Sequence, residues 1–158
     1  MHEARRSQWD IIIFLSGVSI VVLVDRLTKH FFSNFLGLNE SLSVVPHVLR
    51  FTLVHNTGIA FGFFRDCGAV FIIVPVILTG LLIYNVAYYR HSPQLSRTYI
   101  IAFSLILGGA IGNLIDRILL GYVIDFIDFR IWPVFNVADS AITIGAAIIL
   151  LKCIPASK

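Results

Sequence analysis

The stretch from Gly121 to Ser140, GYVIDFIDFRIWPVFNVADS, holds an aspartate near each end, Asp125 just past a long apolar run and Asp139 just inside the next. Carboxylates at the margin of a hydrocarbon layer are expensive to keep and mark a functional site by default. Two of them brought together at low dielectric share one proton rather than ionise together. One then serves as base toward a water while the other donates a proton to the carbonyl or the leaving group. That chemistry is amide hydrolysis without metal or cofactor, and the pair titrates as a unit.

Other chemistries are poorly supplied. No HExxH segment is present, and His47 and His55 fall in a strand-like region without a ligand set. Ser16-Gly17 lacks a GxSxG context, and Lys29 has Thr28 beside it but no nucleophile in register. Several polar residues also have a purely structural reading. Asp25 and Lys29, at i and i+4, suit an ion pair, and Asp116 and Arg117 suit inter-helix ties. Asp128 reads as a solvated loop residue. Asn56, Asn113 and Asn136 could simply bond backbone across helices, and Gly108, Gly109 and Gly112 suit close helix packing.

The elements that must position these groups follow from composition. The chain has 158 residues, 58% hydrophobic and 13% charged, with a mean hydropathy of +0.89. Such a balance leaves too little polar surface for a soluble domain and identifies an integral membrane protein. The net charge of +3 is too small and scattered to argue for a nucleic-acid partner. Met1 to Val24 imitates a secretory signal, but no small-residue cleavage site follows, so it is read as a retained first span.

Crossing the hydrocarbon takes roughly 20 helical residues. Four spans are expected, at about 11–31, 67–89, 99–119 and 134–153, in a single membrane domain. Pro75 predicts a kink in the second, while Trp132 and Pro133 suit the interfacial start of the fourth. Arg5, Arg6, Arg90, Arg97, Lys152 and Lys158 then fall on one side, which the positive-inside rule makes cytoplasmic, with both termini there. Arg50, Arg65 and Arg130 face out, offset by Glu40, Asp66 and Asp128. Cys67 and Cys153 would lie on opposite faces, which argues against a disulfide.

With that orientation Asp25, Lys29, Asn113, Asp116, Arg117, Asn136 and Asp139 converge near the outer leaflet. A single polar site at that level is the economical reading. The segment at about 38–66 is rich in β-branched and aromatic residues, with a turn at Asn56-Thr57-Gly58, and predicts a small sheet on the outer surface. A short interfacial helix over Ser33 to Leu42 is weakly signalled, and about 120–133 reads as a second outer loop. The fold class is therefore all-α membrane, four spans with a small external sheet.

Five blocks, DRLTK at Asp25 to Lys29, NTGIAFGFF at Asn56 to Phe64, GGAIGNLIDR at Gly108 to Arg117, GYVIDFIDF at Gly121 to Phe129 and FNVADSAITIG at Phe135 to Gly145, carry a resemblance. In order and spacing they resemble the lipoprotein signal peptidases, the bacterial type II signal peptidases. The resemblance implies that Asp125 and Asp139 are the catalytic pair. It implies that Asn56, Gly58, Asn113, Arg117 and Asn136 line the site, and that Asp25, Lys29 and Asp116 support it. It further implies cleavage of prolipoproteins on the amino side of a diacylglyceryl-modified cysteine at the bacterial inner membrane, with no cofactor. A monomer that binds the family inhibitor globomycin at the pair is implied as well. Ile59 and the short interval from Asp125 to Asp139 depart from the family pattern and predict an altered pocket rim.

Two other classes remain. A proton relay or small transporter would need polar residues through both halves of the bilayer, and the inner half has none. A structural subunit would use the same pairs as assembly contacts.

Overall fold

A computed structural model of the chain describes residues 2–57 and 96–153, together with Ile73, Val76, Ile77, Gly80, Leu81 and Tyr84 between them. Those isolated positions are helical and exposed, at the i, i+3, i+4 spacing of one helix face. The remainder of the expected second span with Pro75 and Cys67, together with Gly58, Ile59, Arg65, Asp66, Arg90 and Lys158, lies outside the described residues.

The described elements run α1 (His2–Phe35), β1 (Ser41–Val45), β2 (Leu49–Asn56), α2 (Arg97–Leu120), β3 (Val123–Asp128) and α3 (Val137–Cys153). Among the described residues, Gln8–Phe35 and Arg97–Leu120 are long and apolar enough to cross a membrane. α1 is longer than the span expected from Ile11, because no proline interrupts it and the first breaker beyond it is Gly37. It therefore absorbs the start of the interfacial helix expected at Ser33. The rest of that segment turns, with Gly37 N donating to Glu40 Oε2 at 2.7 Å, and enters β1 at Ser41.

α2 lies between α1 and α3, and small residues set the approach. A Cβ on Gly109 would strike the Ala138 backbone, and one on Gly112 would sit 2.6 Å from Asp25 Oδ2. Gly145 on α3 reciprocates against the Ala102 carbonyl, at 2.6 Å. The small-residue face read from the sequence is thus a packing face, as in other membrane helix pairs. α2 ends at Gly121, whose φ of 80° gives the left-handed cap that a side chain would resist.

The sheet is antiparallel in the order β1-β2-β3. Its third strand comes from the stretch expected as the second outer loop. β3 is buried on both faces, so its sequence lacks the in-out alternation that announces a half-buried strand. Phe32 near the C-terminal end of α1 and Leu36 just beyond it pack with Leu53, Ile124 and Phe126 into one apolar cluster, and the Phe32 and Phe126 rings stack at 4.3 Å. Burial of such side chains stabilises by about 1.5–3 kcal/mol each. This cluster holds β3, and with it Asp125, against the helices.

Candidate active site

Each of the two aspartates is placed by its own element. Asp125 sits on β3, 1% exposed, rather than in a water-satisfied loop. Val54 is its partner across the ladder, which puts Asn56, two residues along β2, on the same face. Asn56 Nδ2 donates to Asp125 Oδ2 at 2.8 Å, and Asn136 Nδ2 donates to Asp125 Oδ1 at 2.7 Å. Both carboxylate oxygens accept from neutral amides.

Asp139 is the third residue of α3, which begins at Val137 instead of Val134. The reason is local. Asn136 caps the helix, its Oδ1 accepting from Asp139 N at 2.9 Å while Asn136 N donates to Asp139 Oδ2 at 3.3 Å. That reciprocal pair satisfies two backbone donors at once, in the manner of a capping box. Trp132 and Pro133, expected at the helix start, are exposed in the preceding loop, because Phe135 is held back by pairing with Ile127. Asn113 Nδ2 from α2 completes the setting, donating to Asp139 Oδ1 at 2.7 Å.

The three asparagines are therefore not incidental. Asn136 Nδ2 also donates to Asn113 Oδ1 at 3.0 Å, so the aspartates are joined through two side-chain amides. The orientation of Asn113 is set from behind, since Lys29 Nζ donates to the same Oδ1 at 2.9 Å. With its oxygen claimed by two donors, Asn113 presents only its amino group to Asp139.

Lys29 is fully buried and lies 2.8 Å from Asp25 Oδ2 and 2.8 Å from Asp116 Oδ2. Asp25 Oδ1 accepts from Ala138 N at 3.0 Å, a second cap on α3 supplied by α1. Asp116 Oδ2 accepts from Ile124 N at 3.2 Å and so ties α2 to the strand bearing Asp125. Arg26 pairs with Asp116 Oδ1 and balances the second carboxylate. Each buried carboxylate thus has a cationic partner, Lys29 enclosed with them and Arg26 partly exposed at the edge, and pairing is the condition for keeping such groups at low dielectric.

Asp25, Lys29, Asn113, Asp116, Asn136 and Asp139 accordingly meet as the sequence suggests, and Asp125 and Asn56 join them from the sheet. Arg117 does not join the contacts. It is half-buried in the last turn of α2 and enters no ion pair among the described residues, although its charge faces Asp139, Asp125 and Asp116. Asp116 does act as an inter-helix tie, with Lys29 and Arg26 of α1 as its partners. Arg26 is the contact that residue-by-residue reasoning misses. Its place next to Asp25, inside an apolar helix, is the available signal.

The reading of Asp128 as a solvated loop residue is also corrected. It is 3% exposed, with Arg50 Nε donating at 2.6 Å and Thr52 Oγ1 at 2.9 Å to its Oδ2. His55 stacks on Tyr122 at 4.0 Å. His47 occupies the β1–β2 turn with a φ of 63°.

Electrostatics separate the two strand carboxylates. Burial pushes Asp125 up, the Asn56 and Asn136 hydrogen bonds pull it down, and the Asp139 charge pushes it up again, leaving it at about 7. Burial also pushes Asp128 up, but Arg50, the Arg130 amide and Thr52 outweigh that and hold it below the ordinary carboxylate value. No cluster of three or more potential metal ligands occurs among the described residues.

The chain is similar to known proteins over nearly its whole length. A family model for signal peptidase (SPase) II matches residues 18–155. The lipoprotein signal peptidase of Halothermothrix orenii is 42% identical over 134 residues, 85% of this chain and 90% of the relative. That of Syntrophus aciditrophicus is 37% identical over 157 residues, covering 94% and 96%. Two solved bacterial membrane enzymes share the fold, with TM-scores of 0.78 and 0.81 at 34% and 33% identity. The first alignment covers 88% of this chain and 85% of the other, the second 91% and 94%. With apolar helices long enough to span, a polar centre enclosed at their ends and this extent of match, the chain belongs to the signal peptidase II family of membrane peptidases.

Proposed function

We propose that this chain is an aspartic endopeptidase that removes signal peptides from prolipoproteins, cutting on the amino side of a diacylglyceryl-modified cysteine. The observation that carries the reading is the contrast in partners. Asp125 and Asp139 are held by asparagine amides, whereas the buried Lys29 and the partly exposed Arg26 are spent on Asp25 and Asp116. The pair is therefore positioned without being neutralised, and it retains one proton to work with.

The steps follow from that state. The ionised member takes a proton from a water, which attacks the scissile carbonyl, while the protonated member gives its proton to the carbonyl oxygen. Collapse of the tetrahedral intermediate returns a proton to the leaving amine and frees the signal peptide, restoring the singly protonated pair. The N-terminal end of α3 lowers the energy of negative charge on Asp139 during the cycle. Asn56, Asn113 and Asn136 keep both carboxylates oriented, at no cost in reorganisation.

The same reading includes four spans in a single domain, with both termini on the cytoplasmic side of the bacterial inner membrane and the pair near the outer leaflet. That level suits a substrate whose acyl chains and signal helix already occupy the bilayer. It also includes a monomer, inhibition by globomycin bound at the pair, and Arg117 and Gly58 as substrate contacts. The test is cleavage by purified protein of a lipid-modified and an unmodified precursor. Only the modified precursor should be cut, and neither Asp125→Asn nor Asp139→Asn should cut it. Turnover surviving either substitution removes the pair from the mechanism.

A further inference from the structure

Between β3 and α3 the chain forms a short closed loop over residues 128–134. Its ends are pinned by reciprocal bonds, Ile127 N to Phe135 O at 2.8 Å and Phe135 N to Ile127 O at 3.0 Å. Inside it, Asp128 Oδ1 accepts from Arg130 N at 2.7 Å, fixing Arg130 at a φ of 67°. Asp128 can do this because its other oxygen is gripped by Arg50 and Thr52 of β2, and Thr52 is in turn bonded to Ser41 of β1 at 2.9 Å. All three strands hold one carboxylate, and that carboxylate holds the loop.

What the loop carries is apolar. Phe129 stacks on Phe135 at 5.8 Å, and Trp132 is 69% exposed. These three rings face Ser140, Thr143 and Ile144 of α3 across a pocket of about 350 Å³ that reaches Asp139. The pocket volume lies in the range of ligand sites. From Ile144 an exposed apolar stripe continues down α3 through Ala147 to Leu151, the i, i+3, i+7 path of a lipid-facing helix side. A hydrocarbon chain lying against that stripe would lead from the bilayer into the pocket and end beside the reacting carboxylate.

We infer that Asp128 is a positioning residue which sets the aromatic loop as one wall of an acyl-chain pocket beside Asp139, with Trp132 determining how the chain is gripped. The inference rests on the peptidase reading above and adds a specificity device to it. Asp128 acts only through the loop. Neither Asp128 nor Trp132 belongs to the proton-transfer machinery.

The test compares cleavage of one precursor carrying short or long diacylglyceryl chains by the natural chain, Asp128→Ala, Asp128→Asn and Trp132→Ala. Partitioning of substrate into the micelle is common to all four proteins, so differences between them report the pocket. Asp128→Ala and Trp132→Ala should raise KM for the long-chain precursor about three- to tenfold, with kcat changed less than about twofold and the short-chain precursor unaffected. Asp128→Asn keeps an oxygen for Arg130 but sets an amino donor against Arg50, and should recover only part of the loss. Trp132→Ala alters an exposed side chain and folds regardless.

A binding readout stands beside the kinetics. In a Trp9→Phe, Asp139→Asn background, Trp132 is the one remaining indole, and precursor acyl chains brominated near the glyceryl group should quench its emission. Unchanged chain-length dependence in both alanine variants, equal loss of kcat on both precursors, or absent quenching overturns the inference. If the natural chain cuts the lipid-modified precursor normally, such results sink the pocket alone; if it cuts no precursor, the peptidase reading falls with it.

Discussion

Asp125 and Asp128 lie three residues apart on one strand, both almost inaccessible to water, yet the fold prepares them for opposite ends. Asp125 is gripped by two amides and stands at about 7. Asp128 is gripped by a guanidinium, a hydroxyl and a backbone amide and lies below the ordinary carboxylate value. Burial alone does not decide the charge of a carboxylate. On this strand the charge of the donors separates the two, since neutral donors orient a group while leaving its proton available, and a cation favours the anion. The buried Asp25 and Asp116 also have cationic partners, Lys29 and Arg26.

The sharpest break of that comparison is substitution by the neutral isostere. Asp125→Asn and Asp139→Asn should each lower turnover by about 10³-fold or more, because no other group can hold the shared proton. Thermal stability in detergent should fall only modestly, by about 1–3 kcal/mol, because the asparagine oxygen serves one cradle donor while its amino group faces the other. Lys29→Met reverses the profile. It leaves Asp25 and Asp116 facing each other with half their compensation, at a cost of about 3–5 kcal/mol, read as a lowered unfolding temperature. Activity falls as well, through the freed orientation of Asn113.

The proton itself gives the next prediction. If Asp125 must share it, kcat/KM declines as pH rises through about 7. Stability moves in the same direction by linkage. A carboxylate raised from 3.8 to about 7 binds a proton in the folded chain that the unfolded chain lacks between those values. Its contribution is therefore complete below 3.8 and is lost as pH rises through about 7. Asp125→Asn should flatten this part of the stability profile, and an unchanged slope would show that another group titrates there.

Much of this arrangement is legible from residues alone. Asp25, Lys29, Asn113, Asp116 and Asp139 announce themselves because a polar group inside an apolar helix is costly whether it serves packing or chemistry, and helix direction gathers them at one end of the helices. The sheet over β1 and β2 shows in its β-branched and aromatic residues. β3 does not, because a strand buried on both faces loses alternation, and its partner strand lies far back in the chain. The start of α3 is misplaced by Trp132-Pro133 when the deciding signal is the asparagine three residues before Asp139. Asp128 looks solvated for a related reason. Its cation, Arg50, is 78 positions away, and only strand pairing brings the two into register.

The smallest effect is expected at that surface pair, and it tests the comparison from the other side. Arg50 is 39% exposed along its side chain, so water and salt screen its attraction for Asp128, and Arg50→Gln should cost no more than about 1 kcal/mol. The sign of its pH dependence is opposite to that of Asp125. A depressed carboxylate stabilises the fold above its unfolded value and loses that contribution as pH falls through its folded value, so the natural chain should weaken in acid below 3.8. In the Arg50→Gln chain the backbone amide of Arg130 and the Thr52 hydroxyl remain as donors, and the acid-side loss should shrink without vanishing. Added salt should reduce the difference between the two chains. A cost as large as that of Lys29→Met, or one indifferent to salt, would mean that Arg50 and Asp128 behave as a fully buried pair despite the exposure of Arg50.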